Sequence, residues 1–144
     1  MYVRQTRELS CQGALIVLQG AMTKATQIGI PQCIAVVDRA GHLLAYARMD
    51  GAKLLSQLSS TQKAVTAASS RVASGGIPAE LELKLGLVTE GQLTNLKGGM
   101  PIVWAGEVIG AIGVGSGTGE QDVEVAQAGI QALMEALTEE DLEL

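Results

Sequence analysis

Cys33-Ile34-Ala35-Val36-Val37-Asp38, then Arg39-Ala40-Gly41, then His42-Leu43-Leu44-Ala45-Tyr46-Ala47-Arg48: this run decides the fold. The first segment is a short apolar run rich in β-branched residues and reads as a strand. The Arg39-Ala40-Gly41 turn sends the chain back as a second strand from His42 to Arg48, so the pair is a hairpin. Later the arrangement recurs, with Ile102-Val103-Trp104 and Glu107 to Val114 flanking the tight Ala105-Gly106 turn. Two hairpins imply antiparallel pairing in place of parallel crossovers.

Outward from the hairpins the spacing becomes helical. Cys11, Ala14, Leu18, Ala21, Ala25 and Ile28 recur at three- and four-residue steps, an amphipathic helix that Gly29 and Pro31 stop. Leu54, Leu58, Thr61, Val65, Ala68 and Val72 make one stripe of a long central helix, and Pro78 and Gly86 bracket a short one. The segment from Leu87 to Met100 has no clear pattern. Thr118-Gly119-Glu120-Gln121 is a capping box that opens the last helix, with Val123, Ala126, Ile130, Leu133 and Leu137 on its apolar face. The order is α-ββ-αα-ββ-α, an α+β fold with helices packed on a central antiparallel sheet. No linker composition divides the chain, so residues 1–144 form one domain, with 138–144 as an acidic tail expected to fray.

Composition narrows the function classes. With 47% apolar residues but no Phe, one Trp and two Tyr, the core must be aliphatic and alanine-rich. A net charge of −5 without a Lys/Arg cluster argues against nucleic acid. No apolar run reaches the ~18 residues of a membrane span, and the polar amino terminus lacks the core of a signal peptide, so a cytoplasmic location is expected. Cys11 and Cys33 then read as free thiols.

Three chemical motifs fail on inspection. Gly113-Val114-Gly115-Ser116-Gly117-Thr118-Gly119 lacks the third glycine of a dinucleotide loop and the Lys-Ser/Thr of a P-loop. Glu120, Asp122 and Glu124 in the following turns suit the helix dipole but would repel a phosphate. Ser60-Thr61-Gln62-Lys63 has the Ser-x-x-Lys spacing of serine acylases without their partner motifs. A zinc-type site fails on supply, since His42 is the sole histidine and the cysteines form no Cys-x-x-Cys pair, so no metal site is expected.

The central helix is the unusual segment. Ser56, Ser59, Lys63, Thr66 and Ser70 form a second stripe, and no carboxylate lies between Asp50 and Glu80. A solvated face ordinarily carries acid–base pairs one turn apart. Small hydroxyls permit close approach by a ligand, a second subunit or another element. Lys63 has no acid one turn away, so it is expected at a cleft or subunit boundary, meeting a ligand anion or a distant Asp such as Asp38 or Asp50.

Val36-Val37-Asp38-Arg39-Ala40-Gly41, Ala47-Arg48-Met49-Asp50-Gly51-Ala52, Lys63-Ala64-Val65-Thr66-Ala67, Gly98-Gly99-Met100-Pro101-Ile102 and Gly110-Ala111-Ile112-Gly113-Val114 occur in this order. In combination they resemble the GlcG/HbpS-like family, which includes the carboxy-terminal domain of PduO-type proteins, over Leu9 to Ala136. The chain looks most like the stand-alone OrfY-type members encoded beside B12-dependent glycerol or diol dehydratase genes. The resemblance implies a three-layer α/β/α fold around an antiparallel sheet of about five strands, assembled as a homo-oligomer. It also implies a small-molecule or tetrapyrrole ligand, haem or a corrinoid. The chain departs from the family pattern at Gly115-Ser116-Gly117, and it lacks the histidines that haem-binding members use. The ligand-site candidates are Lys63, Thr66, Arg48, Asp50, Ser56, Gly98 and Gly99. An accessory binding protein is the leading reading. The alternatives are an enzyme acting through Lys63, Arg48 and Asp50, and a module that only assembles.

Overall fold

The computed structural model describes residues 1–143, with side chains as far as residue 141. Its elements are α1 (Cys11–Ile28), β1 (Cys33–Asp38), β2 (Leu43–Arg48), α2 (Ser56–Ser70), α3 (Ala79–Val88), β3 (Gly99–Trp104), β4 (Glu107–Gly115) and α4 (Gly119–Glu143). The helix and hairpin order is the one read from the sequence. The sheet has four strands among the described residues, in the order β2-β1-β4-β3, where about five were expected. Every neighbouring pair is antiparallel.

Local chemistry sets most boundaries. The Ser10 side chain caps α1 by accepting from the Gly13 N–H at 3.0 Å, and Gly29 ends it in the left-handed region at φ 72°. α3 runs through Gly86, its expected stop, because the reversal falls at Glu90 and Gly91, both at positive φ. Pro101 lies inside β3, which the unpatterned segment before it had obscured. It is tolerated because β3 is an edge strand with one unpaired side. The acidic segment expected as a frayed tail continues α4 to Glu143, and Leu144 lies outside the described residues.

Alternation along the strands divides the interior. Ile34, Val36, Ile112 and Val114 join Val17 and Ala21 of α1 and Val125 and Ala126 of α4 in one core cluster. Ala35, Val37 and Ala111 join Ala64, Ala67 and Ala68 of α2 in a second. Where α2 crosses β3 and β4, the sheet presents glycines in place of side chains. A Cβ on Gly113 would overlap the Ser60 carbonyl oxygen, and one on Gly99 the Lys63 carbonyl oxygen. The α2 backbone therefore rests directly on β3 and β4.

This contact turns most of the hydroxyl-bearing stripe of α2 inward and leaves the leucines near its start outside. Ser56, Ser60, Lys63 and Thr66 are buried, whereas Leu54, Leu58 and Val72 are 60–63% exposed. The glycine-lined sheet lets the α2 backbone approach closely on the hydroxyl-bearing face, and Ala68 of the leucine stripe is buried as well. α3 buries no residue at all.

Candidate functional site

The inward stripe of α2 brings Lys63 to the C-terminal end of β4, where the chain turns into α4. Lys63 Nζ donates to the Val114 carbonyl at 2.8 Å and to Asp122 Oδ2 at 2.8 Å, and both side chains are almost completely buried. Asp122 sits in the first turn of α4. Its Oδ1 accepts the Gly117 N–H at 3.0 Å. Turned so that its amide nitrogen meets acceptors, Gln32 donates to the same Oδ1 at 2.9 Å. Burial pushes the Asp122 carboxyl above the usual carboxylate range, against the opposing pull of the Lys63 hydrogen bond and charge. The pair ties α2 to α4 across the end of the sheet.

Over this pair lies a cavity of about 240 Å³. Ser56 and Ser59 of α2 line it on one side and Ser116 and Gly117 on another, with Lys53 and Lys97 contributing exposed ammonium groups. Ser116, where the family loop pattern changes, is held at φ 93° and its Oγ accepts the Lys53 N–H at 2.9 Å. Ser56 is 9% exposed. No hydrogen bond satisfies its hydroxyl among the described residues, although its carbonyl accepts from Ser59. Lys63 uses two of the three donors on its ammonium within the protein. The cavity thus offers hydroxyls and cationic donors above a neutralised floor.

The sequence candidates divide. Lys63 and Ser56 line the cavity. Gly98, at φ 125°, and Gly99 leave the space that the Lys63 ammonium and backbone occupy. Thr66 is a staple: its Oγ1 donates to the Gln62 carbonyl at 2.7 Å and accepts the Thr94 N–H at 3.0 Å. Arg48 and Asp50 line a different cavity beside Pro31 and Gly29. The polar set Lys63, Arg48 and Asp50 therefore shares no cavity. The partner expected for Lys63, a ligand anion or Asp38 or Asp50, is Asp122. Asp38 instead accepts the Ala40 and His42 N–H groups in the hairpin turn. Sequence reasoning missed Asp122, Gln32, Lys53, Lys97 and Ser116. Asp122 carried a signal, an acid in a first turn, but that signal reads equally well as helix-dipole compensation.

The family described as haem degrading protein HbpS-like matches residues 9–131. The chain belongs to this HbpS-like family. Protein GlcG of Escherichia coli K12 is 38% identical over 107 residues, covering 74% of this chain and 80% of GlcG. The crystal structure of the Klebsiella pneumoniae protein ORFY superposes with a TM-score of 0.85 at 29% identity, covering 93% of this chain and 96% of that one. The crystal structure of a PduOC:haem complex superposes with a TM-score of 0.80 at 27% identity, covering 87% and 94%. The resemblance read from the five motifs is borne out. No described helix of this HbpS-like protein is long and apolar enough to cross a membrane.

The family implies haem, and the donor set here does not fit ligation of its iron. His42 stands at the tip of the β1–β2 hairpin with its side chain 81% exposed, 3.6 Å from Asp38 Oδ2. The Tyr46 hydroxyl is buried without a hydrogen-bond partner among the described residues, and burial followed by the adjacent Cys33 thiol pushes it up to about 12. A phenol that resists ionisation is a poor source of the phenolate an iron would need. The hydroxyls and ammonium groups of the serine-lined cavity suit a carboxylate instead.

Proposed function

We propose that the chain is an accessory binding protein for a small carboxylate-bearing molecule, tetrapyrroles among them, held through its acid groups and not through a metal. The observation that carries this reading is the serine-lined cavity above the Lys63–Asp122 pair, which Lys53 and Lys97 also line. Lys97 pairs at 3.6 Å with the exposed Glu120, and Asp122, neutralised by Lys63, is the one carboxylate among the lining residues. Its volume admits a small acid whole, or the propionate edge of a tetrapyrrole whose ring rests outside on Leu96, which lines the cavity and is 56% exposed. The likeness to a PduOC:haem complex supports the tetrapyrrole branch. A corrinoid whose side chains are free acids is its second member, and with it a link to B12-dependent glycerol or diol metabolism.

Assembly belongs to the same proposal. Leu83, Leu87 and Val88 of α3 are 70–75% exposed, and Leu58 of α2 is 61% exposed. An isolated ten-residue helix is unstable in water, and apolar exposure on this scale marks an interaction surface. We place a second copy of the chain on it.

Absorbance titration with haem and with cobyrinic acid, a corrinoid whose side chains are free acids, tests the binding reading. Wild type binds one of them saturably, and Ser56→Leu, which fills the cavity, weakens that binding at least tenfold while the fold is retained. Equal affinity in Ser56→Leu removes the cavity from the site.

A further inference from the structure

The tip of the β1–β2 hairpin and the C-terminal end of α2 enclose another cavity, of about 380 Å³. Val65 and Ala68 of α2 and Val108 of β4 give it an apolar wall. Two arginines from different elements line it, Arg39 in the hairpin turn and Arg71 at the cap of α2, together with Ser69. Arg39 is half-buried. No carboxylate is among the lining residues, and neither guanidinium enters an ion pair among the described residues. Asp38, adjacent to Arg39, is occupied by the turn amides and faces the His42 imidazole.

This arrangement is unusual in a chain with 15 acidic and 10 basic residues, where carboxylates to pair with are in excess. Two like charges on one cavity repel each other until an anion arrives. The α2 dipole favours a cation at its C-terminus, which explains Arg71 but not Arg39. Arg71 also occupies a left-handed position at φ 61°, where glycine or asparagine is the ordinary choice. A strained residue kept against a cavity is a sign of use.

We propose that the Arg39–Arg71 cavity is a second binding site, independent of the serine-lined one, for a small oxyanion. Guanidinium forks match the paired oxygens of phosphate and carboxylate alike. Ser69 adds a hydroxyl donor, and Val65 and Val108 accept the carbon portion of the molecule.

Calorimetric titration with inorganic phosphate and with succinate tests this site and separates the two sources. The proteins are wild type, Arg39→Gln, Arg71→Gln and Arg71→Gly, with Arg4→Gln in the exposed amino-terminal segment as control. Thermal melts establish that each is folded. The expected result is saturable binding of at least one probe, weakened at least tenfold by each change at Arg39 or Arg71 and unchanged in Arg4→Gln. Arg71→Gly loses binding without losing melting temperature, because glycine relieves the backbone. Whichever probe saturates identifies the anion class. Saturation by neither probe, the same affinity in all variants, or an equal loss in Arg4→Gln overturns the proposal.

Discussion

Lys63 Nζ and Asp122 Oδ2 meet at 2.8 Å across 59 positions of sequence, in a place that solvent scarcely reaches. The Val114 carbonyl accepts a second hydrogen bond from Lys63, and the Gly117 N–H and Gln32 donate to Asp122 Oδ1. A buried pair of this kind gains little over a well-packed apolar one, yet removal of one partner strands the other.

Lys63→Met is therefore expected to lower stability by about 3–5 kcal/mol at neutral pH. Lys63→Met combined with Asp122→Leu recovers most of that loss, since no charge is then left behind. Chemical denaturation of the two single variants and the double variant measures the coupling. Additive losses would show that the two side chains act separately.

The same variant has a pH signature. Burial raises the folded Asp122 carboxyl above its ordinary value of 3.8, and loss of Lys63 raises it further. The folded state then binds the proton more tightly than the unfolded state. The stabilising contribution is thus complete below the ordinary value and is lost as pH rises through the raised one. Lys63→Met is expected to approach wild-type stability in acid and fall away towards neutrality. A deficit independent of pH would place its origin in packing.

Gly113→Ala is expected to cost more than about 3 kcal/mol, because its Cβ would overlap the Ser60 carbonyl oxygen and push α2 off the sheet. Gly29 serves as the control, since a Cβ there meets no atom within 4 Å. Its φ of 72° limits the cost of Gly29→Ala to the backbone strain, on the order of 1 kcal/mol.

These two residues show what the sequence could reveal. The α1 helix and both hairpins were legible because caps, turn glycines and alternation are local. The orientation of the α2 stripes stayed open because it depends on what faces them. Gly99 and Gly113 come from a distant hairpin, and nothing in the helix itself shows that its partner surface lacks side chains. Lys63 was singled out correctly as a charge in need of an anion. No spacing rule links it to Asp122, so that anion was sought in the wrong loops. Arg48 and Asp50 lie in a sequence motif that the fold turns away from Lys63.

Tyr46→Phe is expected to stabilise the protein by roughly 1 kcal/mol, since it removes a buried hydroxyl that has no partner among the described residues. In the wild type the phenol should ionise only near 12 in a spectrophotometric titration. A destabilised Phe variant would mean that the hydroxyl has a partner in solution.

Leu83→Glu with Leu87→Glu is expected to turn the oligomer into monomers, visible as a fall in mass by light scattering. The two side chains are 72% and 70% exposed, so the change leaves the core of one chain intact. A wild-type monomer at micromolar concentration would contradict the proposed assembly.

Binding through acid groups without metal ligation is tested most directly by comparing haem, metal-free protoporphyrin and the dimethyl ester of that protoporphyrin in one fluorescence-quenching titration. The predicted result is equal affinity for haem and the metal-free acid, with at least a tenfold loss for the ester. That loss would be about 1.4 kcal/mol or more, the scale of a charge-assisted hydrogen bond. Equal binding of acid and ester, or binding only when iron is present, would contradict the account.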